Sequence, residues 1–158
     1  NYYVHYNRNI WRFTIGSNGC VNTGHSSRIQ TYSWQWSYGM DHHPSNELIL
    51  YGSDWRGQRL TRVQMNPQRN GTFQIRNVGR YGQTASKTGN VRMYGPWGVD
   101  VDKTNNRVLV TTYYKQSVQA FDLNLNFDKE FGGSHGTRMT GAHEAIQSIV
   151  TDLSLIHI

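Results

Sequence analysis

Residues 95–133 decide the fold of this chain, and they read GPWGVDVDKTNNRVLVTTYYKQSVQAFDLNLNFDKEFGG. The stretch contains four short runs rich in Val, Leu, Phe and Thr, and polar turns with Asp, Asn and Gly separate them. An earlier stretch, 38–79, has similar runs in the same order. Short runs that recur at a long period indicate one supersecondary unit used several times. The repeat therefore predicts the architecture, whereas a repeated scaffold says little about chemistry.

Matching residues set the period of the repeat. Gly39 matches Gly98 and Leu48 matches Val108, at offsets of 59 and 60 residues. Small differences in offset are what insertions and deletions in the loops between fixed strands produce. Partial copies precede and follow the two good ones. The expected units are the end of one in 1–35, two whole units in 36–82 and 95–133, and the start of a fourth in 141–152.

Each whole unit has four runs whose residues favour a pleated, half-buried surface. No window has a convincing helical spacing of apolar residues. Four turn-separated strands per unit are the signature of a β-propeller blade. The sequence therefore predicts an all-β fold, namely a partial β-propeller built as an arc of four-stranded antiparallel blades. An ordinary β-sandwich with coincidental internal similarity is the alternative.

The best copy resembles an NHL repeat. The resemblance rests on Pro-x-Gly-Val-x-Val-Asp at 96–102, on Arg-Val-Leu-Val at 107–110 and on Val-Gln-Ala-Phe-Asp at 118–122. Phe127 and residues 131–132 fit the last strand and the closing glycine of that repeat. The earlier copy shows the resemblance less well. The resemblance implies a propeller of four to eight blades, of which this chain would hold about half.

One departure from the NHL pattern concerns an ion pair within the blade. NHL blades usually place an Asp just after the second strand and an Arg just before the third. The best copy has Thr112 and Ser117 at these positions. The earlier copy keeps Arg59 and has either Gly52 or Asp54 at the acidic position, depending on the gap. The resemblance therefore leaves the ion pair open.

Both ends of the chain suggest a piece of a longer protein. The chain begins with Asn1 inside a unit. Residues 153–158, LSLIHI, resemble one translated reading frame of a transposase adapter used in sequencing libraries. We therefore expect a metagenomic fragment in which 153–158 is a non-native tail. The alternative is that these residues form a genuine apolar strand.

Composition limits the compartment and the partners. The 158 residues include 16 Lys and Arg against 10 Asp and Glu, which gives a net charge of +6, and 13% are aromatic. Charged residues make up only 16% of the chain, and a single Cys excludes an internal disulfide within it. Low charge with many Asn, Gly and Tyr is typical of an all-β surface protein. The composition thus favours an extracytoplasmic or secreted location, and the sequence has no membrane-spanning run.

Three turns that join second to third strands are the candidate binding surface. They are aligned in the repeat, so we expect them to lie side by side, and each has an aromatic residue with a cation at a comparable place. A cation beside an exposed ring can bind a phosphate while the ring stacks on a base or a sugar. The alternative is that Trp55 and Tyr113 pack between blades while the cations are merely solvated. The candidate binding residues are Tyr6, Arg8, Trp55, Arg56, Tyr113, Tyr114 and Lys115.

Seven histidines raise the question of a metal site. The densest group is Asp41-His42-His43, but metal ligation needs three or four converging donors, and no His pattern repeats between units. His42 and Asp100 are therefore weak metal candidates. Asp100 and Asp102 are expected to be turn and strand-end residues. The sequence predicts neither a catalytic residue nor a cofactor.

The leading prediction is a non-enzymatic binding or scaffold module of NHL-like propeller type. It would recognise a protein, glycan or single-stranded nucleic acid through loops at one end, and its other partners would be the missing blades of the same chain. The resemblance also implies an alternative, because some related propellers resemble metal-dependent lyases or lactonases with a site at the central channel. A surface adhesin is a third possibility.

Overall fold

The computed structural model describes residues 2–6, 9–30, 38–66, 72–79, 93, 95–114 and 117–132. These residues contain strands and turns but no helix. The strands are β1 (Tyr2–Tyr6), β2 (Asn9–Ile15), β3 (Val21–Gln30), β4 (Met40–His43), β5 (Asn46–Asp54), β6 (Arg59–Met65), β7 (Thr72–Val78), β8 (Pro96–Asp102), β9 (Arg107–Thr112), β10 (Ser117–Asp122) and β11 (Phe127–Gly132).

The strands form three antiparallel sheets in which neighbours along the chain are neighbours in the sheet. β1, β2 and β3 make the first blade, β4 to β7 the second blade and β8 to β11 the third blade. Each such meander uses short turns, which suit antiparallel pairing. The prediction of an all-β chain with four-stranded antiparallel blades is confirmed. Residues 141–152 and 153–158, where we predict a further blade and a non-native tail, lie outside the described residues.

The strand register corrects one detail of the repeat alignment. Leu50 pairs with Val63, and Val108 pairs with Phe121. Leu50 is therefore the counterpart of Val108, and the sequence match of Leu48 to Val108 is wrong by two residues. The error keeps each side chain on its own face of the sheet, because side chains alternate with a period of two.

The main hydrophobic core lies between the second and third blades. Alternate residues of β5 and β6 point toward β8, β9 and β10, as the period of a strand requires. A second, smaller core joins the first and second blades, where Ile10 packs with Leu50, Val63 and Met65. The buried members of the main core are Ile49, Tyr51, Leu60, Val78, Met93, Val99, Val101, Val108, Val110, Phe121 and Leu125.

The first strands of the second and third blades approach each other closely. A Cβ atom on Gly39 would overlap the backbone nitrogen of Val99 and the carbonyl oxygen of Trp97, so only glycine fits there. The Ser53 hydroxyl donates to the Trp97 carbonyl oxygen over 2.6 Å. The Asp41 carboxylate accepts a hydrogen bond of 2.8 Å from the backbone N–H of Val101. Polar contacts therefore connect the two blades beside the apolar core.

An ion pair closes the turn between the middle strands of the second blade. Asp54 Oδ2 lies 2.9 Å from both Nε and Nη2 of Arg59, and the Asp54 side chain is fully buried. Asp54, and not Gly52, therefore occupies the acidic position that the alignment left open in the second blade. At the matching position of the third blade, the hydroxyls of Thr112 and Ser117 lie 2.7 Å apart. A neutral hydrogen bond thus replaces the ion pair in the third blade.

We predict that Asp54→Ala lowers the free energy of unfolding by about 3 kcal/mol, because it leaves a partly buried guanidinium without its partner. Urea denaturation of both proteins measures the difference. Asp128→Ala is the control, because Asp128 pairs with Arg107 at 3.3 Å on the exposed surface, where loss of a pair costs less than about 1 kcal/mol. Equal losses for the two variants would contradict the structural role of Asp54.

The buried hydroxyl of Tyr51 makes the stability of the fold depend on pH. Its hydroxyl donates to the Leu123 carbonyl oxygen of the third blade over 2.7 Å. Burial raises the pKa of Tyr51 from 10.0 to about 12, because the phenolate is poorly solvated there. The folded state then keeps a proton that the unfolded state loses. The contribution of Tyr51 to stability is therefore complete below pH 10 and is lost as the pH rises toward 12.

We expect Tyr51→Phe to cost about 1 kcal/mol near neutral pH, through the lost hydrogen bond. Between pH 10 and 12 the wild-type protein should lose stability more steeply than the variant. Urea midpoints measured across this range test the difference. Parallel pH profiles for the two proteins would show that Tyr51 does not titrate with folding.

Candidate functional site

Two of the three predicted turns lie side by side at one end of the blades. The Trp55 ring of the second blade contacts both tyrosines of the third-blade turn, with centroid distances of 5.5 Å to Tyr113 and 5.2 Å to Tyr114. Trp55 and Tyr113 are half-buried, while Tyr114 is 66% exposed. The two half-buried rings therefore pack between blades, as the alternative reading of these residues expected, and Tyr114 presents its ring to solvent.

Two further aromatic residues join this group, and the sequence analysis missed both. Tyr38 stacks on Trp97 with 3.8 Å between ring centroids and 5° between planes. Trp97 meets Trp55 edge to face at 5.1 Å and also stacks on Tyr113 at 5.5 Å. We call the group of five rings the aromatic platform; its members are Tyr38, Trp55, Trp97, Tyr113 and Tyr114.

The repeat held a signal for the missed rings. Tyr38 directly precedes Gly39, and Trp97 directly precedes Gly98, so the same alignment that pairs the two glycines pairs the two aromatics. Tyr38 and Trp97 lie near the start of a first strand, outside the turns between second and third strands. In an antiparallel meander, the start of the first strand and the turn between the second and third strands lie at the same end of the blade.

The turn that carries Trp55 is shaped by its own side chains. Asp54 Oδ1 accepts a hydrogen bond of 2.9 Å from the Gly57 N–H. Gln58 has a positive φ of 53° and a buried side chain. Its amide nitrogen donates to the Trp55 carbonyl oxygen, and its amide oxygen accepts a 2.7 Å hydrogen bond from the Gly95 N–H of the third blade. Gln58 therefore holds the turn against the neighbouring blade.

Gly95 lies directly against the Trp55 ring. Its φ is +62°, and a Cβ atom would lie 2.5 Å from Trp55 Cζ3. Its carbonyl oxygen accepts a 2.7 Å hydrogen bond from the Tyr113 N–H. One glycine thus bonds to both turns and leaves room for the tryptophan ring between them.

The electrostatic character of this end is cationic. Arg56 is exposed beside Trp55. The described residues at this end are those of the two turns and those that directly precede β4 and β8. The carboxylate beside them is that of Asp54, which is buried and paired with Arg59. The surface around the platform therefore offers rings and a cation, and the described part of it presents no exposed carboxylate.

The other predicted binding residues are Tyr6, Arg8 and Lys115, and their side chains lie outside the described part of the structure. Tyr6 ends β1 and pairs with Asn9 of β2. Arg8 and Lys115 lie outside the described residues. Of the three turns that we predict to lie side by side, the structure describes two together, the turn at 55–58 and the turn that begins at Tyr113.

The metal candidates lie in a different region. His42 Nδ1 lies 3.0 Å from Asp41 Oδ1, and the carboxylate of Asp41 also accepts from backbone N–H groups of His42 and Val101. Asp100, the other candidate, is half-buried in β8. Within the described residues, no three His, Cys, Asp or Glu side chains are grouped so that they could hold a metal ion.

Asp102 is the last residue of β8, as its position in the repeat predicts, and it caps the turn that follows. It accepts hydrogen bonds from the backbone of Thr104 and Asn105 and from the Asn105 side chain. The Asn105 side chain is the main cause that lowers the pKa of Asp102 below its usual value. An open pocket of about 360 Å³ lies beyond this turn, between Asn106, Arg107 and Asp122. It is formed by turns at the opposite end of the blades from the platform.

Comparisons with known proteins show the fold alone. No protein-family model matches the sequence, and no curated protein matches it either. The chain is similar in structure to luciferin-regenerating enzyme, with a TM-score of 0.53 and 11% identity over 78% of this chain and 36% of that one. It is also similar to the PQQ domain of pyranose dehydrogenase from Coprinopsis cinerea, with a TM-score of 0.53 and 17% identity over 76% of this chain and 31% of that one.

A third similar structure is a protein of unknown function from Desulfotomaculum acetoxidans, with a TM-score of 0.52 and 17% identity over 82% of this chain and 36% of that one. The chain thus spans about a third of the length of these proteins. The structural neighbours are β-propeller proteins, so the described blades form part of a propeller and the sandwich alternative is wrong.

We predict that Gly95→Ala disturbs the platform more than a matched substitution at Gly19. Both glycines have positive φ, but a Cβ on Gly19 meets nothing within 4 Å, whereas one on Gly95 meets the Trp55 ring. Gly19→Ala should cost about 1 kcal/mol of backbone strain and leave the near-ultraviolet circular dichroism unchanged. Gly95→Ala should cost more and should change the tryptophan bands. Identical spectra for the two variants would contradict the described position of Trp55.

Proposed function

We propose that this chain is a non-enzymatic binding or scaffold module of NHL-like propeller type. Its aromatic platform and the adjoining loops recognise a protein, glycan or single-stranded nucleic acid partner, and its blades pack with further blades of the same protein. The observation that carries the proposal is the exposed pair of rings, Tyr38 at 48% and Tyr114 at 66%, on a base of half-buried tryptophans. Large exposed aromatics grouped on a rigid surface are typical of binding sites.

The support beneath the rings favours binding over a purely structural role. Trp97 covers one face of Tyr38, and Trp55 contacts Tyr38 edge to face at 6.0 Å. Gln58 and Gly95 fix the turn that carries Trp55, and the Tyr38 N–H donates to the Ser53 hydroxyl oxygen. Because the rings are held before any partner arrives, little side-chain entropy is lost on binding.

The NHL-like assignment is supported by the second blade. Asp54 is the last residue of its second strand and Arg59 is the first residue of its third strand, close to the NHL positions, and the two side chains form an ion pair. The third blade keeps the geometry of this pair with Thr112 and Ser117. The ion pair, which the sequence left open, therefore supports an NHL-like second blade, the blade whose sequence resembles the NHL repeat less well.

The enzyme alternative receives less support. A metal-dependent site at the central channel would draw on Asp41, His42 and Asp100, but Asp41 is engaged with backbone N–H groups that connect two blades. The identities of 11% and 17% to proteins with enzyme names carry the fold to this chain and no activity. We also propose an extracytoplasmic or secreted location on the basis of composition. In the described part of the chain, no helix has the length and hydropathy to span a membrane.

The double substitution Tyr38→Ala/Tyr114→Ala tests the binding site. Because both rings are largely exposed, the variant should keep the wild-type fold. We expect it to weaken binding about tenfold or more for any probe that the wild-type chain retains on a glycan array or in a titration with a deoxythymidine oligonucleotide. Far-ultraviolet circular dichroism checks the fold of the variant.

Phe131→Ala is the matched control, because Phe131 is 45% exposed on β11, the outermost strand of the third blade, and its described ring contact is with Lys129 rather than with the platform. It should leave binding unchanged. If the double variant binds every retained probe as the wild type does, the platform is not the binding site. If Phe131→Ala weakens binding equally, exposed rings act non-specifically and the proposal fails.

A further inference from the structure

The rings of the platform leave a limited stacking surface. Tyr38 and Trp97 are stacked on each other, and Trp97 is also stacked on Tyr113 at an angle of 30°. Ring faces inside this stack are already occupied. The exposed half of Tyr38 is therefore the side turned away from Trp97. Tyr114, 66% exposed beside Trp55, offers a second exposed ring. The described rings therefore leave few free faces for stacking.

The polar groups around these rings select the charge of the ligand. Gln58 and Asp54 are both buried and hydrogen-bonded within the protein. Arg59 is neutralised by Asp54. Of the described residues in the two turns, Arg56 remains as an exposed cation beside Trp55. A guanidinium recognises a carboxylate or phosphate through paired N–H donors.

This chemistry disfavours a neutral sugar. Hydroxyl groups of a neutral sugar need acceptors as well as donors. The carboxylate of Asp54 and the amide oxygen of Gln58 are used within the protein, which leaves the tyrosine hydroxyls of the described turns as side-chain acceptors. The chemistry also disfavours single-stranded nucleic acid. Such a strand needs a groove of several cations along its backbone and free ring faces for successive bases. The described residues of the two turns hold Arg56 as their exposed cation. A ligand with one apolar ring face and one anionic group per unit fits best.

We infer that the aromatic platform binds an acidic saccharide, a chain of uronic acid units. The apolar C–H face of a pyranose ring lies on Tyr38 or Tyr114, and Arg56 pairs with the carboxylate of a sugar unit. This inference rests on the proposed binding function and names the ligand class for the same site. It assigns Arg56 the role of selecting charge and the rings the role of selecting the sugar.

Four probes separate the possible ligands when each is titrated into the 158-residue chain. Polygalacturonate carries pyranose rings with carboxylates, and its methyl ester carries the same rings without charge. Polyglutamate carries carboxylates without sugars, and a deoxythymidine oligonucleotide carries phosphates and bases. Tryptophan fluorescence reports binding, because Trp55 and Trp97 lie within the platform.

We expect polygalacturonate to bind about tenfold or more tightly than any of the other three probes. Arg56→Gln should lower this affinity to that of the methyl ester and should not change the binding of the methyl ester itself. Lys103→Gln is the control, since Lys103 is exposed in the turn after β8 at the opposite end and its loss changes the net charge equally. It should leave the affinity unchanged.

Each other outcome overturns the inference. Equal binding of the methyl ester shows that charge is not selected, and equal binding of polyglutamate shows that the sugar is not. Tighter binding of the oligonucleotide, or equal loss with Lys103→Gln, points to nucleic acid or to non-specific charge. In these cases loss of binding in Tyr38→Ala/Tyr114→Ala still supports the proposed binding function. If the double variant binds all retained probes normally, the proposed function fails as well.

Discussion

The close approach of the first strands of two neighbouring blades is the constraint on which the rest of the structure depends. Gly39 allows β4 to reach the backbone of Trp97 and Val99 without a side chain between them. The Ser53 hydroxyl and the Asp41 carboxylate then satisfy backbone groups across the junction. Because buried backbone groups must be hydrogen-bonded, these contacts fix the relative position of the blades. The apolar core can then close at the density that folded proteins require.

The two ends of this junction differ in chemistry. At the platform end, Gln58 and Gly95 connect the blades while Trp55 fills the space between the turns. At the opposite end, Asp102 and Asp122 use their carboxylates to cap the turns of their own blade. The first arrangement leaves rings and Arg56 facing solvent, and the second uses the carboxylates of Asp102 and Asp122 within the turns. The same repeated scaffold thus presents a candidate binding surface at one end.

The repeat made much of this architecture predictable. Alternation of apolar residues and the turn residues between them gave the strands of the second and third blades, and the aligned turns pointed to Trp55, Tyr113 and Tyr114. The alignment failed where a turn changes length, because residues near the first turn of the second blade shift by two positions. The alignment pairs Tyr38 with Trp97, but both lie near the start of a first strand, outside the turns that were the candidate surface. Their contacts with Trp55 and Tyr113 follow only from how the blades pack.

The sequence by itself determined the class of fold, because hydrophobic periodicity and turn chemistry are local properties that repeat in each unit. It also placed aromatic and cationic residues at equivalent turns of the repeat. Only the tertiary structure decided that Asp54 pairs with Arg59, that Asp41 connects blades and that five rings form one surface. The Asp54–Arg59 pair depends on the strand register that closes the turn between them. The other two depend on distances between segments far apart in the chain. Such distances follow from how the blades pack, and packing is a property of the whole assembly of strands.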